Sequence, residues 1–191
     1  MALVKTETII NDDDQHLFID YPNTIDSVIC RNPDKLMKLI SAIEQNEHIH
    51  FVSDGDWSMH DLVMQLLLKY KPAQLFITTY AIREFSIRQL ILAQERGDIS
   101  NIKMLLDYRA KVRTPEVYHL ASMNIDSIFL TSIHAKVTVI KSKVGYVAIV
   151  ASANWTQNPR IEAGVLSTNK DIAEFHINWI EKVMENATIF D

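Results

Sequence analysis

Two residues near position 135 have the types and spacing to handle a phosphate group. His134 and Lys136 are two positions apart in a strand-like run, so their side chains are predicted to project from the same face. An ammonium group there can hold a phosphate while the neighbouring imidazole attacks phosphorus or donates a proton. The pair is weak evidence by itself, because a single histidine in a strand is usually structural.

A second polar set follows on the next strand-like runs. Ser152 and Asn154 end the run "YVAIVASAN", again with one face in common. If residues 143–145 form a tight turn, the two strands pair antiparallel and their polar residues converge. Asn154 then adds an amide donor, and Ser152 adds a hydroxyl that donates to a phosphate oxygen or supports its neighbours. Glu162 adds a carboxylate that can accept a hydrogen bond from His134 and fix its tautomer.

Together these residues resemble the motif of the phospholipase D superfamily, H-x-K-x4-D followed by S-x-N and a downstream acid. The motif reads here as His134-Ala-Lys136, Ser152-Ala-Asn154 and Glu162. The resemblance implies a phospholipase D-like fold in which these five residues are catalytic. Lys141 stands where the family has its aspartate, which removes a hydrogen-bond acceptor. Lys141 is expected either to contact a substrate phosphate or to lie exposed on the surface.

The resemblance also implies a reaction that needs two motifs around one phosphodiester. One histidine attacks phosphorus and forms a phosphohistidine, and the other protonates the leaving oxygen and then activates water. This chain contains a single H-x-K, so we expect a homodimer with both His134 side chains at its two-fold axis. Paired lysines and asparagines would stabilise the charge, so no metal and no other cofactor is expected.

A nucleic acid is the expected substrate, because a short chain without lid domains resembles the nuclease branch of the superfamily. Trp155 follows the asparagine of the motif and is expected either to stack on a base or to pack in the core or an interface. Arg109, Lys111 and Arg113 follow a predicted strand. They are expected either to line a groove for backbone phosphates or to form a solvated turn.

The elements that position these residues can be inferred from the hydrophobic pattern. Strand-like and helix-like segments alternate first, and four strands and a last helix follow. The strands are predicted at 48–53, 73–79, 101–108, 127–132, 134–142, 146–152 and 162–168, and the helices at 57–70, about 82–96, from 114 and at about 171–186. This order predicts an α/β fold with a mixed, largely parallel sheet sandwiched by helices.

One catalytic domain is predicted at residues 32–191, after an acidic segment at 1–31 that is expected to form an irregular arm, a strand pair or a partly disordered lead. Asn32-Pro33 marks a helix start, because proline suits the first helical position. The last helix is expected to bury a stripe of Ile172, Phe175, Trp179, Ile180 and Val183.

The net charge of −5 hides an asymmetry along the chain. Residues 1–61 hold 12 acidic against 4 basic residues, whereas the remainder holds 12 against 15. A locally positive surface for a phosphate ligand is therefore compatible with an acidic protein, although such lysines also serve simply to solubilise a strand. Cys30 is the only cysteine, which excludes an intrachain disulfide and favours a cytoplasmic setting. No apolar run has membrane-spanning length.

Three other functions are compatible with parts of the sequence. His48 and His50 have metal-ligand spacing, with Asp54, Asp56 and His60 nearby, but a metal hydrolase would need a further ligand. A nucleic-acid-binding or assembly module that keeps the fold without catalysis is suggested by Lys141. A lipid phosphodiesterase is the third alternative.

Overall fold

A computed structural model describes residues 25–29, 40–53, 55, 57–157 and 159–187. The described strands are β1 (Ile25–Ile29), β2 (His48–Val52), β3 (Ala73–Thr79), β4 (Ile99–Asp107), β5 (Ser127–Thr131), β6 (Val137–Ser142), β7 (Tyr146–Ala151) and β8 (Ala163–Ser167). They form one eight-stranded sheet in the order β1-β2-β8-β7-β6-β3-β4-β5.

Proline and glycine mark the ends of some of the helices. The described helices are α1 (Met59–Tyr70), α2 (Glu84–Glu95), α3 (Arg109–Arg113), α4 (Pro115–Asn124) and α5 (Lys170–Asn186), and residues 40–42 are also helical. Proline occupies the first turn of α4, and Gly97 after α2 has a φ of +74°, a left-handed conformation that glycine adopts without strain. Among the described residues, no helix is both long and apolar enough to cross a membrane.

The sheet lies between two helical layers. One face packs against α1, α2 and α4, and Leu75, Ile77 and Ile149 are buried in that layer. The other face packs against α5, where Phe76, Leu105 and the helix residue Ile177 belong to a second buried cluster. Successive strand residues point to opposite faces, so central strands covered on both sides are apolar on both faces. This explains why β3 is buried at every position except its second.

The strand directions bring several strand ends to one edge of the sheet. Pairing is parallel in β1–β2, β3–β4 and β4–β5 and antiparallel in β2–β8, β8–β7, β7–β6 and β6–β3. The carboxyl ends of β3, β4, β5 and β7 therefore meet the amino ends of β6 and β8 at one edge, which we call the upper edge. The residues that follow or precede these strands share that edge.

The predicted mixed α/β sandwich is confirmed, with three differences in detail. Antiparallel pairs outnumber parallel ones, because the short links among the later strands leave no room for a crossover helix. Residues 25–29 form β1 and pair with β2, so the sheet includes residues that precede the predicted domain start at residue 32. The stripe predicted for α5 is wrong at Phe175, which is 65% exposed, since the helix buries Ala173, Ile177, Ile180 and Met184. The predicted helix start at Asn32-Pro33 lies outside the described residues.

Candidate active site

His134 and Lys136 lie in an extended segment just before β6, at the upper edge. The backbone N–H of Ala151 donates to the Lys136 carbonyl at 3.1 Å, which ties this segment to the end of β7. Lys136 Nζ lies 3.3 Å from His134 Nδ1 and 3.4 Å from Nε2, and it donates to the His134 carbonyl at 2.7 Å. The predicted proximity of imidazole and ammonium is thus confirmed, although both residues precede the strand that was expected to carry them.

Tyr80 is the residue around which the cationic groups of the site assemble. Its ring lies against the His134 ring, with centroids 5.0 Å apart. The guanidinium of Arg109 lies 4.7 Å from the Tyr80 centroid and that of Arg113 lies 5.3 Å from it. Arg113 Nη1 also donates to the Tyr80 hydroxyl at 2.6 Å. Tyr80 was not predicted from the sequence, although it directly follows a buried strand, where α/β proteins collect ligands.

Asn154 is oriented by the end of β3. Its Oδ1 accepts a hydrogen bond from the Tyr80 backbone N–H at 3.2 Å, and the Thr79 hydroxyl lies 3.2 Å from the same oxygen. These contacts fix the orientation of the amide. The two N–H donors of Nδ2 have no acceptor among the described residues. Because Tyr80 touches both Asn154 and His134, the two motif halves meet at this tyrosine.

Ser152 and Glu162 form a pair next to Lys136. The Ser152 hydroxyl donates to a Glu162 carboxylate oxygen in a short contact, and it accepts from the Ala163 N–H at 3.1 Å. The pKa of Lys136 is lowered, because partial burial disfavours its charged form more than the nearby Glu162 carboxylate favours it. The Glu162 carboxylate thus contacts Ser152 and acts on Lys136, and its predicted hydrogen bond with the His134 ring stays a prediction.

Asp107, at the end of β4, fixes two segments of the site and was also missed in the sequence. Its carboxylate is fully buried. It accepts from Arg109 Nε at 2.6 Å and Nη2 at 3.0 Å, and from the backbone N–H groups of Arg109 at 3.1 Å and Ile133 at 3.2 Å. Burial would raise the pKa of Asp107, but these hydrogen bonds and the guanidinium charge outweigh it and hold the pKa below its usual range. Asp107 thereby anchors both Arg109 and the residue before His134.

The structure does not bring three of the predicted basic and aromatic residues to the site. Trp155 is 1% exposed and donates from Nε1 to Thr138 at 3.1 Å, so it packs in the core and cannot stack on a base. Lys141 pairs with Gln74 and Tyr146 near the other end of β6. Five residues of extended chain separate it from Lys136, about 16 Å, so the expected phosphate contact at this site is wrong. Lys111 Nζ lies 5.9 Å from the Tyr118 ring centroid, whereas Arg109 and Arg113 lie against the ring of Tyr80.

The histidines of the alternative metal site do not form one among the described residues. His60 is buried and bonded to Ser58 and Ser86, whereas His50 is exposed. In the described part of the chain no group of three or more His, Cys, Asp or Glu side chains has a metal-binding arrangement. Asp54 and Asp56 lie outside the described residues.

Comparison with solved structures identifies the fold. No family model and no curated protein matches the chain. Nuc from Salmonella typhimurium, a phospholipase D family member, superposes with a TM-score of 0.57 at 17% identity, over 75% of this chain and 96% of Nuc. Polyphosphate kinase from Porphyromonas gingivalis gives a TM-score of 0.56 at 16% identity, over 80% of this chain and 27% of the kinase.

A third similar structure is TrmBL2, an archaeal chromatin protein described as having a novel mode of DNA binding. It gives a TM-score of 0.51 at 12% identity, over 81% of this chain and 60% of TrmBL2. At these identities the comparisons bear on the fold. The fold that the H-x-K and S-x-N motif predicts is confirmed, and the chain has the fold of the phospholipase D superfamily.

Proposed function

We propose that this protein is a metal-independent phosphodiesterase that cleaves DNA or RNA. The observation that carries the proposal is the contact of the exposed His134 imidazole with the Lys136 ammonium group, beside an Asn154 amide whose Nδ2 is oriented by Tyr80. An imidazole can attack phosphorus, and the two nitrogen donors can bind the phosphoryl oxygens as negative charge develops on them.

Two copies of His134 complete the reaction. A ring nitrogen of one His134 forms a bond to phosphorus while the bond from phosphorus to the leaving oxygen breaks. The His134 of a second copy gives that oxygen its proton. The second imidazole then removes a proton from water, the resulting hydroxide attacks phosphorus, and the bond between nitrogen and phosphorus breaks. Since each chain carries one H-x-K, the reaction calls for a homodimer whose two-fold axis passes through the upper edge.

A nucleic acid suits the charges around Tyr80. Arg109 and Arg113 both lie against its ring. Arg109 is held by Asp107, and the exposed Arg113 guanidinium is available for a backbone phosphate next to the scissile one. The similarity to TrmBL2, whose description mentions DNA binding, is in line with this choice. A lipid phosphodiesterase remains the alternative substrate class for the same chemistry.

A second candidate function follows from Lys141. The family's aspartate is absent at that position, and a chain with the same fold that binds nucleic acid without cleaving it would not need it. The two functions differ in one measurable property, because binding without catalysis does not depend on the His134 imidazole.

The deciding experiment measures cleavage of labelled single-stranded DNA, double-stranded DNA and RNA in excess EDTA. We expect the unmodified protein to cleave at least one of them and His134→Ala to be inactive, with an unchanged sedimentation coefficient corresponding to a dimer. His119→Ala, which changes an exposed histidine on α4, is the matched control and should keep full activity. Activity retained by His134→Ala would remove the nucleophile. Tight binding without cleavage would favour the second candidate, and choline release from phosphatidylcholine vesicles would favour the lipid substrate.

A further inference from the structure

A cavity of about 420 Å³ lies beside Tyr80, on the surface between the β3–α2 loop, the end of α3 and the β7–β8 loop. Three arginines from these three segments line it: Arg83, Arg113 and Arg160. We call this cavity the arginine pocket. It is far larger than the roughly 30 Å³ that one water molecule occupies, so it has room for a phosphate and part of the group attached to it.

The arginine pocket is built for an anion. No carboxylate of the described residues lines it, and Thr114, Thr156 and Gln157 add side chains that can donate hydrogen bonds to an anion. Among the described residues none of the three arginines forms an ion pair with an acidic side chain. Like charges gathered in a concave site raise the local positive potential, which a bound phosphate relieves. Guanidinium groups also match the geometry of phosphate oxygens.

The pocket adjoins the candidate active site through a single side chain. Arg113 Nη1 donates to the Tyr80 hydroxyl at 2.6 Å, and the ring of the same tyrosine contacts the His134 ring. The guanidinium-to-ring distance of 5.3 Å and the ring-to-ring distance of 5.0 Å place Arg113 at most about 10 Å from the His134 imidazole. Arg113 and His134 are therefore neighbours that both contact Tyr80.

We propose that the arginine pocket binds a second phosphate of the substrate, next to the one that is cleaved. This inference rests on the proposed phosphodiesterase function and narrows its substrate class. Two phosphates bound at these neighbouring positions must be joined by a spacer, as a sugar joins consecutive phosphates in a polynucleotide. A diester with a single phosphate, such as phosphatidylcholine, leaves the pocket empty. The protein thereby selects a polynucleotide backbone without reading its bases.

The test compares ligands that differ by one phosphate. Dithymidine monophosphate, which has one phosphodiester, is titrated into the His134→Ala protein by NMR beside the same dinucleotide with an added 5′- or 3′-phosphate. We expect the added phosphate at one end to lower Kd about tenfold or more, as charge-assisted hydrogen bonds allow. Adding Arg83→Gln and Arg160→Gln should reduce this advantage to less than twofold. Arg88→Gln, which changes an exposed arginine of α2 that pairs with Glu84, is the matched control and should keep it.

Each outcome separates this inference from the proposed function. No advantage for either added phosphate, or an advantage that survives the double substitution, would overturn the arginine pocket as a phosphate site even if the protein cleaves DNA or RNA. An advantage that is lost in the double variant would support the pocket even if cleavage assays failed, and that failure would count against the catalytic proposal.

Discussion

Replacing Asp107 by asparagine perturbs the buried group that holds Arg109 and the segment before His134. The carboxylate accepts four hydrogen bonds, two on each oxygen. Asparagine keeps one acceptor oxygen and presents an amino group in place of the other, so at most two of the four bonds survive. Each lost bond to a charged acceptor is worth about 1.5–3 kcal/mol. Since Arg109 is 40% exposed, water replaces part of this, and we expect a loss of about 2–3 kcal/mol in the free energy of unfolding.

Urea unfolding followed by tryptophan fluorescence measures this loss, and a thermal scan should give a Tm lower by about 5–10 °C for a domain of this size. Asp98→Asn is the matched control. The Asp98 carboxylate pairs with Lys71 at 2.9 Å and Arg96 at 3.0 Å, but its side chain is 17% exposed. We expect it to lose no more than about 1 kcal/mol. An Asp107→Asn protein as stable as Asp98→Asn would refute the anchoring role of Asp107.

The pH dependence gives an independent check on the same residue. Because the folded-state pKa of Asp107 is lowered, its ionised form stabilises the protein above the unfolded-state value of about 3.9. That stabilisation is lost as the pH falls through the lowered pKa. The stability difference between the unmodified protein and Asp107→Asn should therefore be constant from pH 7 to pH 5 and shrink at pH values below about 3.9. A difference that disappears already near pH 5 would contradict this reasoning.

Three further predictions concern the site and the core. Asn154→Ala should lower kcat by about 10²–10³ in the nuclease assay, because it removes a donor to the transition state. The lowered pKa of Lys136 should bring the alkaline loss of activity to a pH below the ordinary lysine pKa of about 10.4, and Lys136→Arg, if active, should move it upward. Trp155→Phe should leave the Kd for an oligonucleotide unchanged, because the ring is buried, whereas Trp155→Ala should cost about 3–5 kcal/mol in urea unfolding.

The element pattern could be predicted because the strands are strongly apolar and the chain breaks at recognisable signals. The segment 73–79 is a strand with the predicted bounds, and α1 buries the residues that the 3.6-residue period selects. The side of α5 that packs was harder to predict, because Phe175 and Ile177 both lie on plausible apolar faces and the contact with the sheet decides between them. The periodicity of one helix does not show which of its apolar faces packs against the sheet.

The motif residues of the candidate site could be predicted because they lie close together in the chain, and Arg109 and Arg113 could be predicted because they directly follow a predicted strand. His134, Lys136 and Asn154 fall within one motif, whereas Tyr80 and Asp107 come from the ends of two other strands and reach the site only through the sheet order. Lys141 shows that nearness in the chain can also mislead. It is only five residues from Lys136, but an extended strand places the two residues about 16 Å apart. Spacing within a motif indicates common ancestry more directly than it indicates contact.

The β6–β7 hairpin turn is at the opposite end of the sheet from the upper edge. Ser142 closes it by accepting from the N–H groups of Val144 and Gly145 through its side-chain oxygen, so the loop depends on little else in the protein. A tether for surface immobilisation, or a dye for single-molecule work, attached at the exposed residue 143 would therefore lie at the far end of the sheet from the candidate active site.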